Sequence, residues 1–561
     1  MGLFLLLSCA FSWPLILAPF SQHVSQQWDM YTLVWLMQAV SAEDAAWVFN
    51  GSAWPLGEPL YRMDSFLMAS VAALMGRALD PWVFPALWVL LGPVLSAWAA
   101  ERVAARVFEA RWPWSLIAGG CFGFCGMAVT SLLEGHVYAL LNPWLPLLLG
   151  SWTLALKEDG TLRQGLFAGI CWSLCLLTSA YTGMVATLLV LVVACPALIH
   201  RKTTWHGLAG AALTSLPVGL LYIRMFVAHG ESVRTPTTAT VGDPLRVLDA
   251  GSIHLDTLAG WNGAVDMVKH SVSGPLGYTA LSLALFAPIV ILHRKHVKTL
   301  MCLALLGLVL ALGPQLQLHD DDLNIPLLMY GIGVLGDAAS FFHFPSRLLW
   351  LCTLAMGVLG AVVATQVAER RGGKWVAPLL VFMVVDVLCV TGAPFRTRQV
   401  STVVPTIYEE APDGLAVLDL FPEFGTFNAD MSLYVNNLTC SYQVEHRRPI
   451  ASQCLGTTVG RGPRVLMSKW LAGVFLSNQG LAEVVPLMQS LGFGAVVLHP
   501  DFYSHTDRPL MVQGLTEVMG PPTAVRKDGG EHLMLFTVPD AHASTPEARL
   551  AGYTAIEARV Q

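Results

Sequence analysis

Five short basic clusters punctuate this chain, and they fall in every second gap between its apolar stretches. They are Arg102/Arg106/Arg111, Lys157/Arg163, Arg201/Lys202, Arg294/Lys295/Lys298 and Arg370/Arg371/Lys374. The gaps between them are long, acidic or aromatic, and poor in Lys and Arg. Loops rich in Lys and Arg stay on the cytoplasmic side of a bilayer, so the alternation predicts a single threading, with the N-terminus cytoplasmic and the C-terminus outside. The argument needs the apolar stretches to lie in lipid, and a chain with 55% hydrophobic and only 12% charged residues meets that condition. It also excludes a nucleic-acid binder, because the basic residues are scattered as anchors and form no phosphate-tracking face.

A helix needs about 20 apolar residues to cross the hydrocarbon core. About eleven stretches approach that requirement: 2–20, 82–100, 113–133, 140–156, 165–180, 182–199, 207–226, 275–292, 299–314, 347–366 and 375–394. The first lacks a basic n-region and an A-x-A site, so it reads as an uncleaved helix and not as a signal peptide. Only Tyr181-Thr182-Gly183 separates the fifth from the sixth. The expected fold is a polytopic α-helical membrane domain over 1–394, with a first external loop at 21–81.

After Pro394 the charge density rises to that of a water-soluble protein. Compact apolar runs at Ala416–Leu420, Ala495–Leu498 and Leu533–Val538 read as strands. Gln479–Leu491 has helical spacing and ends at Gly492. Residues 395–561 are therefore expected to form an extracytoplasmic α/β domain, with a loosely structured polar tail after the last strand. Nine of the eleven cysteines lie in the apolar stretches and read as packing residues. Cys440 and Cys454 lie in the exported portion, face an oxidising compartment in this topology, and are expected to pair.

Chemistry is sought among the charged residues outside the membrane. The first external loop carries Asp29 after Gln26-Gln27-Trp28, an amphipathic stretch to Val40, the turn Pro55-Leu56-Gly57, and Tyr61-Arg62-Met63-Asp64. Further stretches are Glu134-Gly135-His136 running into Asn142-Pro143-Trp144, then Ala180-Tyr181-Thr182-Gly183, Ala311-Leu312-Gly313-Pro314 and Phe342-His343-Phe344-Pro345-Ser346-Arg347. In this order they resemble the GT-C superfamily of integral-membrane glycosyltransferases, and within it the bacterial YfhO-like branch. Ala416–Phe421 and Arg447-Arg448-Pro449-Ile450 continue the resemblance into the exported portion.

The resemblance implies a polytopic glycosyltransferase of the bacterial inner membrane that moves a sugar from a polyprenyl-phosphate carrier to an extracytoplasmic acceptor. A first-loop carboxylate would take the acceptor's proton or hold a divalent cation near the leaving phosphate. Asp29 is the candidate, with Asp64 second; helix capping is the alternative for each, and for Asp64 also a surface ion pair beside Arg62. The family often places two adjacent acidic residues here, whereas this chain has Trp28-Asp29-Met30, so the metal stays unassigned.

Arg347 follows Pro345 in a gap otherwise free of Lys and Arg. It is the candidate for the donor phosphate, with His343 beside it, and snorkelling to ordinary headgroups is the alternative. Glu134, His136 and Tyr181 are candidate substrate contacts. The competing function is a catalytically inactive GT-C-like lipid-binding or assembly subunit, with 395–561 docking an envelope protein. A transporter is a weaker reading, since no inverted repeat and no midplane charge stand out.

Overall fold

The computed structural model describes residues 1–12, 22–23, 34–39, 48–49, 54, 58–59, 65–75, 83–133, 137–199, 205–228, 279, 282, 285–288, 296–318, 321–333, 345–390, 400–401, 404–422, 429–452, 454, 463–528 and 531–560. Three described stretches are long and apolar enough to cross a membrane: Val83–Arg106, Trp205–Arg224 and Pro345–Arg371. Shorter apolar helices pack with them, among them Leu162–Thr178, Ala180–Ile199 and Val297–Ala311. Leu213, Leu216, Leu220, Leu221 and Ile223 stay more than half exposed on one long helix. Apolar side chains left outward on that scale suit a lipid solvent. The chain is a membrane protein.

Several spans differ in detail from the sequence expectation. Residues 113–133 divide into Leu116–Gly123 and Gly126–Leu133. The last span is Ala377–Val385 followed by a π-helical turn, Asp386–Val390. Asp386 is buried there and accepts the Thr279 N–H at 2.8 Å, so an apolar span does hold a carboxylate that the sequence reading passed over. Small residues set the closest helix contacts: a Cβ at Gly165 would overlap the carbonyl oxygen of Gly207, and one at Gly169 would meet the Ala211 backbone. Backbone approach of this kind replaces hydrophobic drive where the solvent is itself apolar.

Described residues in or beside the basic gaps meet at one end of the bundle. Arg111 pairs with Glu369 at 3.1 Å and its N–H donates to Thr365 Oγ1 at 3.0 Å. Phe108 lies edge-on to His296 at 5.8 Å. Gly207, six residues after Arg201, abuts the Ala155 carbonyl just before Lys157.

In the C-terminal portion, four strands hydrogen-bond in the order Ala416–Leu420, Phe493–Leu498, Glu531–Thr537, Ala524–Asp528. The first pair is parallel and the others antiparallel. Both leading strands are buried throughout, which explains their apolar runs, interrupted by a charge only at Asp419. Helices Ala429–His446, Pro463–Ser477 and Leu481–Ser490 form the crossover. The tail expected to be loose is instead the helix Pro546–Val560, because Gly552 and Ile556 bury one face against the layer that holds Leu491. Cys440 and Cys454 are bonded, with Cα atoms 5.7 Å apart.

The first loop is stitched to this portion. Residues 34–39 are helical and pack with Cys440, Val444, Ile450 and Cys454. Gln38 Nε2 donates to the Val444 carbonyl at 3.1 Å. Trp54 donates its N–H to Ile450 O at 2.9 Å and its indole N–H to Leu491 O at 2.7 Å, under the Arg549 guanidinium at 4.2 Å.

Candidate functional site

Proline, a 3-10 turn and a β-region break interrupt the helices at the end opposite the basic gaps. Val137–Leu140 is a 3-10 turn that leads through Asn142-Pro143 into the helix Trp144–Ala155. Ser179, extended at φ −168° and ψ 160°, separates Leu162–Thr178 from Ala180–Ile199. Pro345–Leu348 is a 3-10 turn feeding Leu349–Arg371. Helices of 12, 17 and 23 residues connect these breaks to the basic gaps. At 1.5 Å per residue they run about 18, 25 and 35 Å.

The breaks border a narrow cleft, open at its mouth, whose interior has about 10 Å³ of space, room for roughly one water molecule. Ser131, Tyr138, Asn142, Thr182, Arg347 and Trp350 are among its walls. The Arg347 guanidinium lies 4.2 Å above the ring of Tyr181, so a buried aromatic face holds the fork in place. Ser179 Oγ caps the second helix by accepting the Thr182 N–H at 3.1 Å, and sits 3.1 Å from Thr182 Oγ1. Asn142 is held by its backbone. Its N–H donates to Ser96 Oγ at 2.8 Å, and Ser96 in turn donates to Leu140 O at 2.9 Å. Gly92 lets that turn approach, since a Cβ there would lie 3.0 Å from backbone atoms of Leu140 and Leu141.

The Asn142 side chain is 1% exposed, and its Oδ1 has no hydrogen-bond partner among the described residues. The described walls thus carry one cation, hydroxyls, phenols, an indole and a carboxamide, with no carboxylate. Such a lining suits an anionic group beside a neutral polyol.

Of the sequence candidates, Arg347 and Tyr181 come together in this cleft. Asp29, Asp64, His343, Glu134 and His136 lie outside the described residues. Among the described residues no group of three His, Cys, Asp or Glu could hold a metal ion. Asn142 was visible in the Asn-Pro-Trp stretch but was not singled out there; its signal is an amide buried at a helix break.

A second polar centre went unnoticed in the sequence. His499 is fully buried, with Nε2 3.2 Å from Asp419 Oδ1 and Nδ1 3.3 Å from Glu531 Oε2. Tyr408 donates its hydroxyl to Asp419 at 2.5 Å, and Phe421 stacks on the imidazole at 3.9 Å. Burial alone would lower the His499 pKa, but the two carboxylates outweigh it and hold it above the ordinary value. Burial pushes the nearby Arg464 guanidinium down to about 10, against the pull of Asp419 and Tyr503.

No family model matches the sequence, and no curated protein does. Among solved structures, the mycobacterial arabinofuranosyltransferase AftD superposes over 97% of this chain with a TM-score of 0.59 and 15% identity. The two chains share a fold. The chain spans 40% of the length of AftD. Looser likenesses are the oligosaccharyltransferase AglB of Archaeoglobus fulgidus in complex with an inhibitory peptide and a dolichol-phosphate, and ArnT of Cupriavidus metallidurans bound to undecaprenyl phosphate. AglB has a TM-score of 0.49 at 10% identity over 91% of this chain and 70% of its own. ArnT has 0.40 at 12% over 97% and 99%.

Proposed function

We propose that the protein is a membrane glycosyltransferase that takes a sugar from a polyprenyl-phosphate-linked donor and passes it to an extracytoplasmic acceptor. The observation that carries the reading is the cleft that joins Arg347, Tyr181 and Asn142 at the bundle end opposite the basic gaps. Those gaps are cytoplasmic by the positive-inside rule, so the cleft opens on the far leaflet, where a flipped lipid-linked sugar is found. A bacterial inner membrane fits the YfhO-like resemblance. The AftD fold supports transfer of a sugar as the reaction class.

In this reading Arg347 grips the phosphate by two parallel N–H bonds while Tyr181 holds the guanidinium plane in place. The first loop, fastened to the C-terminal portion at Trp54 and residues 34–39, carries Asp29 as the base that takes the acceptor's proton as its oxygen attacks the anomeric carbon, the bond from that carbon to the phosphate oxygen breaking so that polyprenyl phosphate leaves on Arg347. The C-terminal α/β portion then serves as the platform that seats this loop and meets the acceptor.

The test uses the full chain in lipid nanodiscs with radiolabelled polyprenyl phosphate. Wild type is expected to retain the lipid in preference to the uncharged polyprenol. Arg347→Ala and Arg347→Lys are both expected to lose that preference by tenfold or more, because an ammonium cannot replace a bidentate fork. Asp29→Asn is expected to keep binding and lose turnover. Equal retention of phosphate and alcohol by wild type would overturn the proposal.

A further inference from the structure

We propose that Asn142 is the sugar-reading residue of the cleft, where its carboxamide pairs with a hydroxyl of the donor sugar while Arg347 holds the adjoining phosphate. This rests on the donor-site reading above and adds to it which part of the cleft recognises the glycosyl group. The side chain is almost wholly buried, and its Oδ1 meets no described partner. A buried polar atom left unpaired destabilises a fold. The backbone N–H, by contrast, is engaged, since Ser96 Oγ accepts it and bridges to Leu140 O. Among the described residues, the local structure thus holds residue 142 by its main-chain N–H and gives its Oδ1 no partner.

An amide that the fold leaves idle at the wall of a cleft is complementary to something that enters the cleft. Its neutrality selects the partner. A phosphate is met by the guanidinium, whereas a carboxamide, with acceptor and donors side by side, matches an alcohol, which is itself donor and acceptor. The neighbouring Ser179 and Thr182 hydroxyls, which also border the cleft, extend the same chemistry. The ligand class is thus a glycosyl phosphate with a free hydroxyl toward Asn142. A site built to pair a substrate hydroxyl rejects an analogue lacking it much more strongly than an apolar pocket rejects an added group. Bare polyprenyl phosphate leaves the amide idle and should bind less well than a sugar-bearing one.

The experiment compares Asn142→Leu, which keeps the volume and removes the polarity, with wild type in nanodiscs. The probes are polyprenyl phosphate and a panel of its hexose and pentose phosphodiesters, and thermal unfolding is recorded alongside. Wild type is expected to hold at least one phosphodiester about tenfold tighter than the bare phosphate, the worth of one hydrogen bond. Asn142→Leu should bind bare phosphate as wild type does, lose the preference, and unfold at the wild-type temperature or above. A preference that survives in Asn142→Leu, or is absent from wild type for every sugar tested, overturns the inference and leaves the donor-phosphate site intact. A variant that unfolds well below wild type shows the amide to be structural and also overturns it; Asn142→Ser, smaller and still polar, checks that loss against simple misfit. Failure of wild type to bind any of these lipids defeats the donor reading itself, and this inference with it.

Discussion

A half-buried and a fully buried histidine in the C-terminal portion, His446 and His499, have pKa values shifted in opposite directions, so its stability should peak near pH 6.5. Burial pushes the His446 imidazole down to about 4, with Asp419 opposing and Arg448 adding to the shift. The folded protein keeps His446 neutral, whereas the unfolded chain takes up a proton below 6.5. The stabilisation is present above 6.5 and is lost as pH falls toward 4. The interval from 6.5 to about 4, at 1.36 kcal/mol per pH unit, is worth about 3 kcal/mol. His499 has the opposite sign. Its pKa is raised, so the charged imidazole between Asp419 and Glu531 stabilises fully below 6.5, and that contribution is lost as pH rises through the folded value.

Hydrogen exchange on the full chain in nanodiscs, corrected for intrinsic rate, reads this directly in the strands Ala416–Leu420 and Phe493–Leu498. Protection should be greatest near pH 6.5 and fall about 100-fold by pH 4, the equivalent of 3 kcal/mol. His446→Phe should flatten the acid side and keep the alkaline one. His499→Gln should flatten the alkaline side and weaken protection at every pH, because the buried Asp419 and the partly exposed Glu531 then lose their cation; leaving a buried charge unpaired costs about 3–5 kcal/mol. An acid loss of unchanged size in His446→Phe refutes the assignment.

Two further outcomes test the packing. Replacing Cys440 and Cys454 by serine opens a link spanning 14 residues, and should cost about 3 kcal/mol, read as faster exchange in the helix Ala429–His446 and in residues 34–39 that pack on it. Gly165→Val should lower the melting temperature in detergent through about 1–3 kcal/mol of overpacking, since its Cβ meets the unyielding Gly207 backbone; Gly219→Val, with open space around it, should change little.

What the sequence alone determined was what repeats locally. Apolar runs mark the chain as one that packs in lipid, because each residue's preference for lipid or water hardly depends on its neighbours in space. Strands Ala416–Leu420 and Phe493–Leu498 were legible for the same reason: strands buried on both faces are written as nearly continuous apolar runs, with Asp419 the one charge among them. The motif order also brought Arg347 and Tyr181 forward as separate candidates.

The tertiary structure decided what depends on juxtaposition. The helix Pro546–Val560 looks polar in sequence, and only the surface holding Leu491 makes its Gly552 and Ile556 face a buried one. His499 reaches Asp419 across 80 residues and Glu531 across 32, through strand pairing that no local pattern encodes. The cleft follows the same rule: Asn142, Ser179 and Arg347 sit at three separate helix breaks, and each becomes part of one site only because the helices between them begin at a common end. Hydropathy is a property of a residue in its solvent and survives in one dimension, whereas an idle amide or a paired imidazole is defined by distances that only the packed chain supplies.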